Sequence, residues 1–339
     1  KEENLEEDEG KEDPGKVRLT RFTRGLGCAC KLPIQQLREV LHVFPRPVNP
    51  AVLVGIDTSD DAAVYSLRES AGVQSAVVQT VDFFTPIVDD PYDFGRIAAT
   101  NALSDLYAMG ATPAFALVIA AFPLTRLPLS VLKEMLKGVS DTARVAGIDI
   151  LGGHTVDGSE PLLGLSATGF VDKERVVRNR GGKPGDLLYL TKPLGTGILS
   201  TALKQNLLSS SETRALVETL TTLNDRPSLA MITVGVSAAT DITGFGLLGH
   251  LLEMLGVDSE GAGDSSVPLS ARLYSPDIPL LPRALELASS GVVPGGSRAN
   301  LNWASPWTKY AETVPQAVRV LLADAQTCLL YTSPSPRDS

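Results

Sequence analysis

The run from Thr80 to Gly110, TVDFFTPIVDDPYDFGRIAATNALSDLYAMG, limits the possible folds of this chain more than any other stretch. Leading into it, Ala76 to Val81 form a β-branched run that predicts a strand, which delivers Asp82 to a loop broken by Pro86 and Pro91. Phe94, Ile97, Ala98, Leu103 and Leu106 then recur at helical spacing, so a helix follows. Asn101 and Asp105 stand four apart and share a face of that helix. Their neighbours Ala98, Ala99, Ala102, Leu103 and Leu106 carry no charge, and a carboxylate in such surroundings needs a cation or hydrogen-bond donors. A solvated helix face with one exposed Asp is the plainer alternative.

The 339 residues suffice for two domains with their own apolar interiors. The formal charge is −9, of which the eight acids and three lysines of Lys1–Lys16 supply −5. That tail is expected to be solvated and disordered, and the mildly acidic remainder has no basic stripe, which argues against nucleic acid as a partner. The longest apolar run, Ala114 to Phe122, is far short of the roughly 20 residues that span a bilayer. Three cysteines, two of them in Cys28-Ala29-Cys30, offer no disulfide framework, and with no signal peptide ahead of the fold a reducing, cytoplasmic setting is expected. The chain opens on Lys1, so a natural start upstream is expected. Its end, CLLYTSPSPRDS, reads as translated sequencing adapter.

Val17 to Lys31 shows little periodicity and combines glycines, Cys28, Cys30 and Lys31, which predicts a mobile arm. Those cysteines are either small buried hydrophobes or thiols activated by the neighbouring ammonium. Strands are expected at Leu53–Ile56 and Ala62–Leu67, enclosing a turn, Asp57-Thr58-Ser59-Asp60-Asp61, whose crowded carboxylates suit a divalent cation or a solvated turn. Ala114–Ala121 reads as a strand buried on both faces, and Ile148–Leu151 as a strand ending at Gly152-Gly153-His154, where bare backbone can approach a phosphate. The polar stretch Asp172–Gly185 is the expected boundary between domains 33–172 and 184–327, with 1–16 a tail, 17–32 the arm and 328–339 foreign. Val236–Ala239 predicts a strand ending at Asp241, which serves a site or caps the following helix.

No phosphate-loop or dinucleotide fingerprint occurs. Asp57, Asp60, Asp61, Asp82, Asp105 and Asp241, spread over both halves, instead suit magnesium ions bridging a nucleoside triphosphate. From the residues alone the reading ends at metal-dependent phosphoryl transfer with a reactive thiol arm.

Gly27-Cys28-Ala29-Cys30-Lys31, TSDDAAVY (58–65), the Thr80–Gly110 run, GGHT (152–155) and TDITGFGLLGHL (240–251) together resemble the selenophosphate synthetase family, of the aminoimidazole ribonucleotide synthetase-like superfamily, across about Arg18 to Thr327. The resemblance implies a two-domain α/β fold whose N-terminal strands form a barrel across a homodimer. It implies conversion of ATP, selenide and water to selenophosphate, AMP and phosphate. Cys28 and Lys31 would be catalytic; Lys31, Thr58, Ser59, Asp60, Asp82 and Asp105 would line ATP, with Gly152, Gly153 and His154 reaching it from the neighbouring subunit. Asp61, Asp105 and Asp241 would hold Mg2+, supported by Asn101. Alternatives are a non-catalytic nucleotide-binding paralogue or another ATP-dependent enzyme of the superfamily. Ala29, Ala325 and Cys328 depart from the family pattern, standing where glycine, proline and serine are expected.

Overall fold

The computed structural model describes residues 17–27, 48–55, 60–67, 74–257 and 269–334. The N-terminal half is a six-stranded sheet: β1 (Val52–Val54), β2 (Ala63–Ser66), β3 (Ser75–Phe84), β4 (Thr112–Phe122), β5 (Asp149–Asp157) and β6 (Leu162–Asp172), in spatial order β1-β2-β3-β6-β4-β5. Every pairing is antiparallel except β4 with β5. Helix α1 (Pro91–Ala108) starts where proline can start a helix, at its first position, with the Asp90 side chain accepting from the Asp93 amide. It packs on β3 and β6, and α2 (Leu129–Val145) packs on α1.

The C-terminal half surrounds a smaller sheet, β7 (Tyr189–Leu190), β8 (Val236–Ile242) and β9 (Leu329–Pro334), with β9 between the other two. Its helices are α3 (Thr196–Lys204), α4 (Ser210–Thr221), α5 (Asp225–Val234), α6 (Gly246–Met254), α7 (Ala284–Ser289), α8 (Gly295–Ala304) and α9 (Gln316–Leu322). The stretch read from sequence as foreign thus supplies β9, where Leu329, Leu330 and Tyr331 are buried. Just before it, Gln326 Oε1 accepts from the amides of Gly195 and Thr196 at 3.0 and 3.1 Å, and Asp324 Oδ2 accepts from Ile198 at 3.1 Å. These side chains satisfy the amides at the start of α3, although burial pushes the Asp324 carboxyl up to about 7.

One apolar cluster runs through both halves, joining Phe94, Leu103 and Leu165 to Ile198, Leu216, Leu281 and Leu287. Among the described residues no helix is long and apolar enough to cross a membrane.

Two expectations are corrected. Strand β4 is not buried on both faces, since Leu117 is 41% exposed. Its apolar run is continuous because the sheet face turned away from the helices is itself apolar, presenting Tyr65, Val81, Phe83 and Phe170. Gly152 and Gly153 lie inside β5, not at its end, and a Cβ on Gly153 would fall 2.2 Å from the Val118 carbonyl oxygen. Close approach of β5 to β4, at φ +156° for Gly153, already requires a glycine there.

Candidate active site

Strand β3 buries every second residue, so Thr80 and Asp82 point to the same side, toward α1. The four-residue spacing on α1 meets this two-residue spacing directly: Asn101 Nδ2 donates to Asp82 Oδ2 at 2.8 Å, and the Thr80 hydroxyl donates to Asp105 Oδ2. All four side chains are buried. The exposed-Asp alternative for α1 is therefore excluded.

Two further elements bring their acids to the same place. Asp61, on the turn entering β2, accepts through Oδ1 from the Thr240 hydroxyl of β8 at 2.7 Å, a contact between the two halves. Asp60 Oδ1 accepts from the Asn179 amide at 2.6 Å. Burial, then the charges of Asp241 and Asp105, hold Asp61 well above the usual carboxylate range, against the opposing hydrogen bond from Thr240. Asp61, Asp105 and Asp241 therefore converge on one region. Asp61 Oδ2 is shielded from solvent and accepts no hydrogen bond among the described residues, even though the residue as a whole is only half-buried. Asp241 lies within β8, and the following helix α6 begins at Gly246 with Phe245 before it, so Asp241 is no helix cap.

An orphaned carboxylate oxygen beside two like charges is what a hard cation relieves, and oxygen donors suit Mg2+. Among the described residues no three His, Cys, Asp or Glu side chains form a ready cage. Magnesium does not demand one, since it keeps waters and takes phosphate oxygens alongside one or two carboxylates. The residues present fit the ion.

Sequence reasoning missed the donors. Thr80 and Thr240 look like ordinary β-branched strand residues, and Asn179 acts through its backbone, inside the stretch read as a boundary. Lys192 was missed as well: buried, it donates through Nζ to the carbonyls of Thr222 and Cys328 at 2.6 and 2.8 Å, and reaches Cys328 Sγ at 3.5 Å. Burial pushes the Cys328 thiol up, Lys192 opposes this, and Asp241 and Asp82 add to the rise, so this cluster adjoins the carboxylates. A lone Lys in Thr-Lys-Pro-Leu-Gly was the available signal.

Cys28, Lys31, Thr58 and Ser59 lie outside the described residues, as do Asp57 and Cys30. The segment leading to Cys28 is anchored. Arg18 Nε pairs with Asp89 at 2.7 Å, Lys204 Nζ donates to Thr23 O at 2.8 Å, and the Gly27 amide reaches Thr85 Oγ1 at 3.1 Å. Gly152, Gly153 and His154 sit exposed on the edge strand β5. Asp82 lines up across the sheet with Leu165, Val118 and Gly153, three strand spacings or about 14 Å away. The chain therefore does not bring that triplet to its own carboxylates.

The AIR synthase related protein, N-terminal domain, matches residues 59–171, and the corresponding C-terminal domain matches 183–273. Among solved structures, thiamine monophosphate kinase from Aquifex aeolicus has a TM-score of 0.58 at 15% identity, covering 90% of this chain and 88% of that one. Hydrogenase maturation protein HypE in complex with ATP has a TM-score of 0.57 at 18% identity, covering 85% of this chain and 74% of that one. At such identities these two show the fold. The selenide, water dikinase of Pseudomonas straminea is 47% identical over 315 residues, 91% of this chain and 84% of that protein. That of Carboxydothermus hydrogenoformans is 46% identical over 311 residues, 92% of this chain and 86% of that protein. Likeness of this depth over nearly the whole length makes this chain a member of the selenide, water dikinase family, built on the two AIR synthase related domains.

Proposed function

We propose that this chain is a selenophosphate synthetase, converting ATP, selenide and water to selenophosphate, AMP and phosphate. The observation that carries the reading is the convergence of Asp61, Asp105 and Asp241 from both halves, with Asp61 Oδ2 left for a ligand, in a chain of that family.

Asp61, Asp105 and Asp241 would hold Mg2+, which neutralises phosphate oxygens when bound. Asp60 and Asp82, held by Asn179 and Asn101, line the nucleotide with Thr58 and Ser59. Lys31 lowers the repulsion between selenide and the phosphates, and Cys28 presents a soft sulfur to selenium.

Gly152, Gly153 and His154 serve the neighbouring subunit's nucleotide, across a homodimer whose N-terminal strands close into a barrel in the cytoplasm. The apolar outer sheet face, with Val81, Phe83, Leu117 and Phe170 exposed, supports that reading, because such a face in water calls for a partner. Phe170→Glu is expected to turn a dimer into a monomer in sedimentation velocity runs and to lower turnover. A wild-type monomer at micromolar concentration contradicts the dimer.

The reaction is tested by the adenosine product. Purified protein should form AMP from ATP only when selenide is present; ADP as the sole product, or indifference to selenide, rejects the dikinase and favours another ATP-dependent reaction.

A further inference from the structure

We propose that Thr240 is a positioning residue for the cation site, aiming Asp61 across the boundary between the halves. The inference rests on the metal reading given above. Thr240 is 2% exposed, and its hydroxyl donates to Asp61 Oδ1 at 2.7 Å while lying 3.3 Å from the Asp241 carbonyl oxygen. It has one proton to give, and the shorter contact takes it.

That bond fixes one carboxylate oxygen on the protein and leaves the other, the shielded Oδ2, without a donor among the described residues. The donor is neutral, which suits the task. An ammonium in its place would cancel the carboxylate's charge, whereas a hydroxyl offsets part of the desolvation and leaves the negative charge for a cation.

Thr80 repeats the device on Asp105, but within one half, so that contact can form as soon as β3 and α1 pack. The Thr240 contact forms only when β8 docks beside the Asp60-Asp61 turn. The connecting segment secures this docking: the Ala239 amide donates to Arg178 O at 2.9 Å, and the next residue's amide, that of Asn179, holds Asp60. Asp60 and Asp61 are thus gripped at adjacent positions by Asn179 and Thr240, and capture of the cation is coupled to the docking of the two halves.

The test is a titration of the full chain with Mn2+ in place of Mg2+, without nucleotide, following free Mn2+ by electron paramagnetic resonance. Thr240→Val keeps the shape and removes the proton; it should weaken Mn2+ binding about tenfold, the usual effect of losing a partner that orients a ligand. Thr240→Ser should restore near wild-type binding. In an Asp61→Asn background, Thr240→Val should add no further loss. Wild-type affinity in Thr240→Val, or the same loss in both backgrounds, overturns the inference while sparing the metal reading. A wild-type protein that binds no Mn2+ overturns both. Should Thr240→Val fail to give native circular dichroism, Thr240→Ala carries the same expectations.

Discussion

Asp61→Asn is expected to abolish selenide-dependent turnover while making the metal-free protein more resistant to heat. Asn keeps an oxygen for the Thr240 hydroxyl and removes a charge that burial, Asp241 and Asp105 all oppose. The loss of activity should be at least about a hundredfold, since weakening only the partners of metal ligands already costs up to that much. Stability moves the other way because the folded state pays for crowding these carboxylates without a cation. The pH dependence has a definite sign. Asp61 titrates above its ordinary 3.8 when folded, so between that value and the raised one the folded state binds more protons than the unfolded. Metal-free wild-type protein should therefore lose stability as pH rises through that window, and Asp61→Asn should lack this component. Melting curves with and without Mg2+ read both effects: the ion should raise the wild-type melting temperature and leave the variant's nearly unmoved. A variant that melts like wild type in both conditions removes Asp61 from the site.

Cys28→Ser should remove selenide-dependent AMP formation and leave Mg2+-dependent ATP binding intact. The support comes from where the chain is fixed just before this residue. The Gly27 amide bonds to Thr85, three residues beyond Asp82 on the same run of chain, which is about 10 Å along an extended strand. Gly27 has φ +52°, and a Cβ there would fall 2.2 Å from Ile87 Cγ2, so this anchor accepts only glycine without strain. Cys28 is one residue further and Lys31 three beyond that, a reach of about 14 Å from the anchor at full extension. Serine keeps the size but gives up the polarisable sulfur and the accessible thiolate, and loss of such a group costs at least about a hundredfold. AMP release and equilibrium dialysis with ATP separate chemistry from binding. Unchanged turnover would discredit the thiol of Cys28 and direct attention to Cys30.

How much of this was legible in the sequence depended on whether a residue acts through a periodic side chain. Asp82, Asn101 and Asp105 were readable because two repeats, one of strand and one of helix, each placed polar groups on an otherwise apolar face. Asp61 and Asp241 were readable as acids beside strands that a shared cation would draw together, but the Thr240 contact that aims Asp61 was not, because it depends on how β8 docks against the other half. Thr80 and Thr240 were hidden by their β-branched shape, which strands favour for reasons unrelated to the hydroxyl. Asn179 contributes an amide that any residue but proline possesses. The misreading of β4 came from treating an apolar run as proof of burial, when the outer sheet face is apolar and open. The Gly152-Gly153 pair misled only as to where the strand ends, because glycine here also permits close approach of β5 to β4 and so continues the strand.

The apolar cluster that joins Phe94 and Leu165 to Leu216, Leu281 and Leu287 has a bearing on ancestry. The C-terminal half keeps a second cluster of its own around Ile242, Leu248 and Leu329, but along the shared one a substitution on one side of the seam must be accommodated by side chains on the other. At those shared positions the two halves change in step, and exchanging either for a distant cousin's would leave an ill-fitting joint behind the acids it must align.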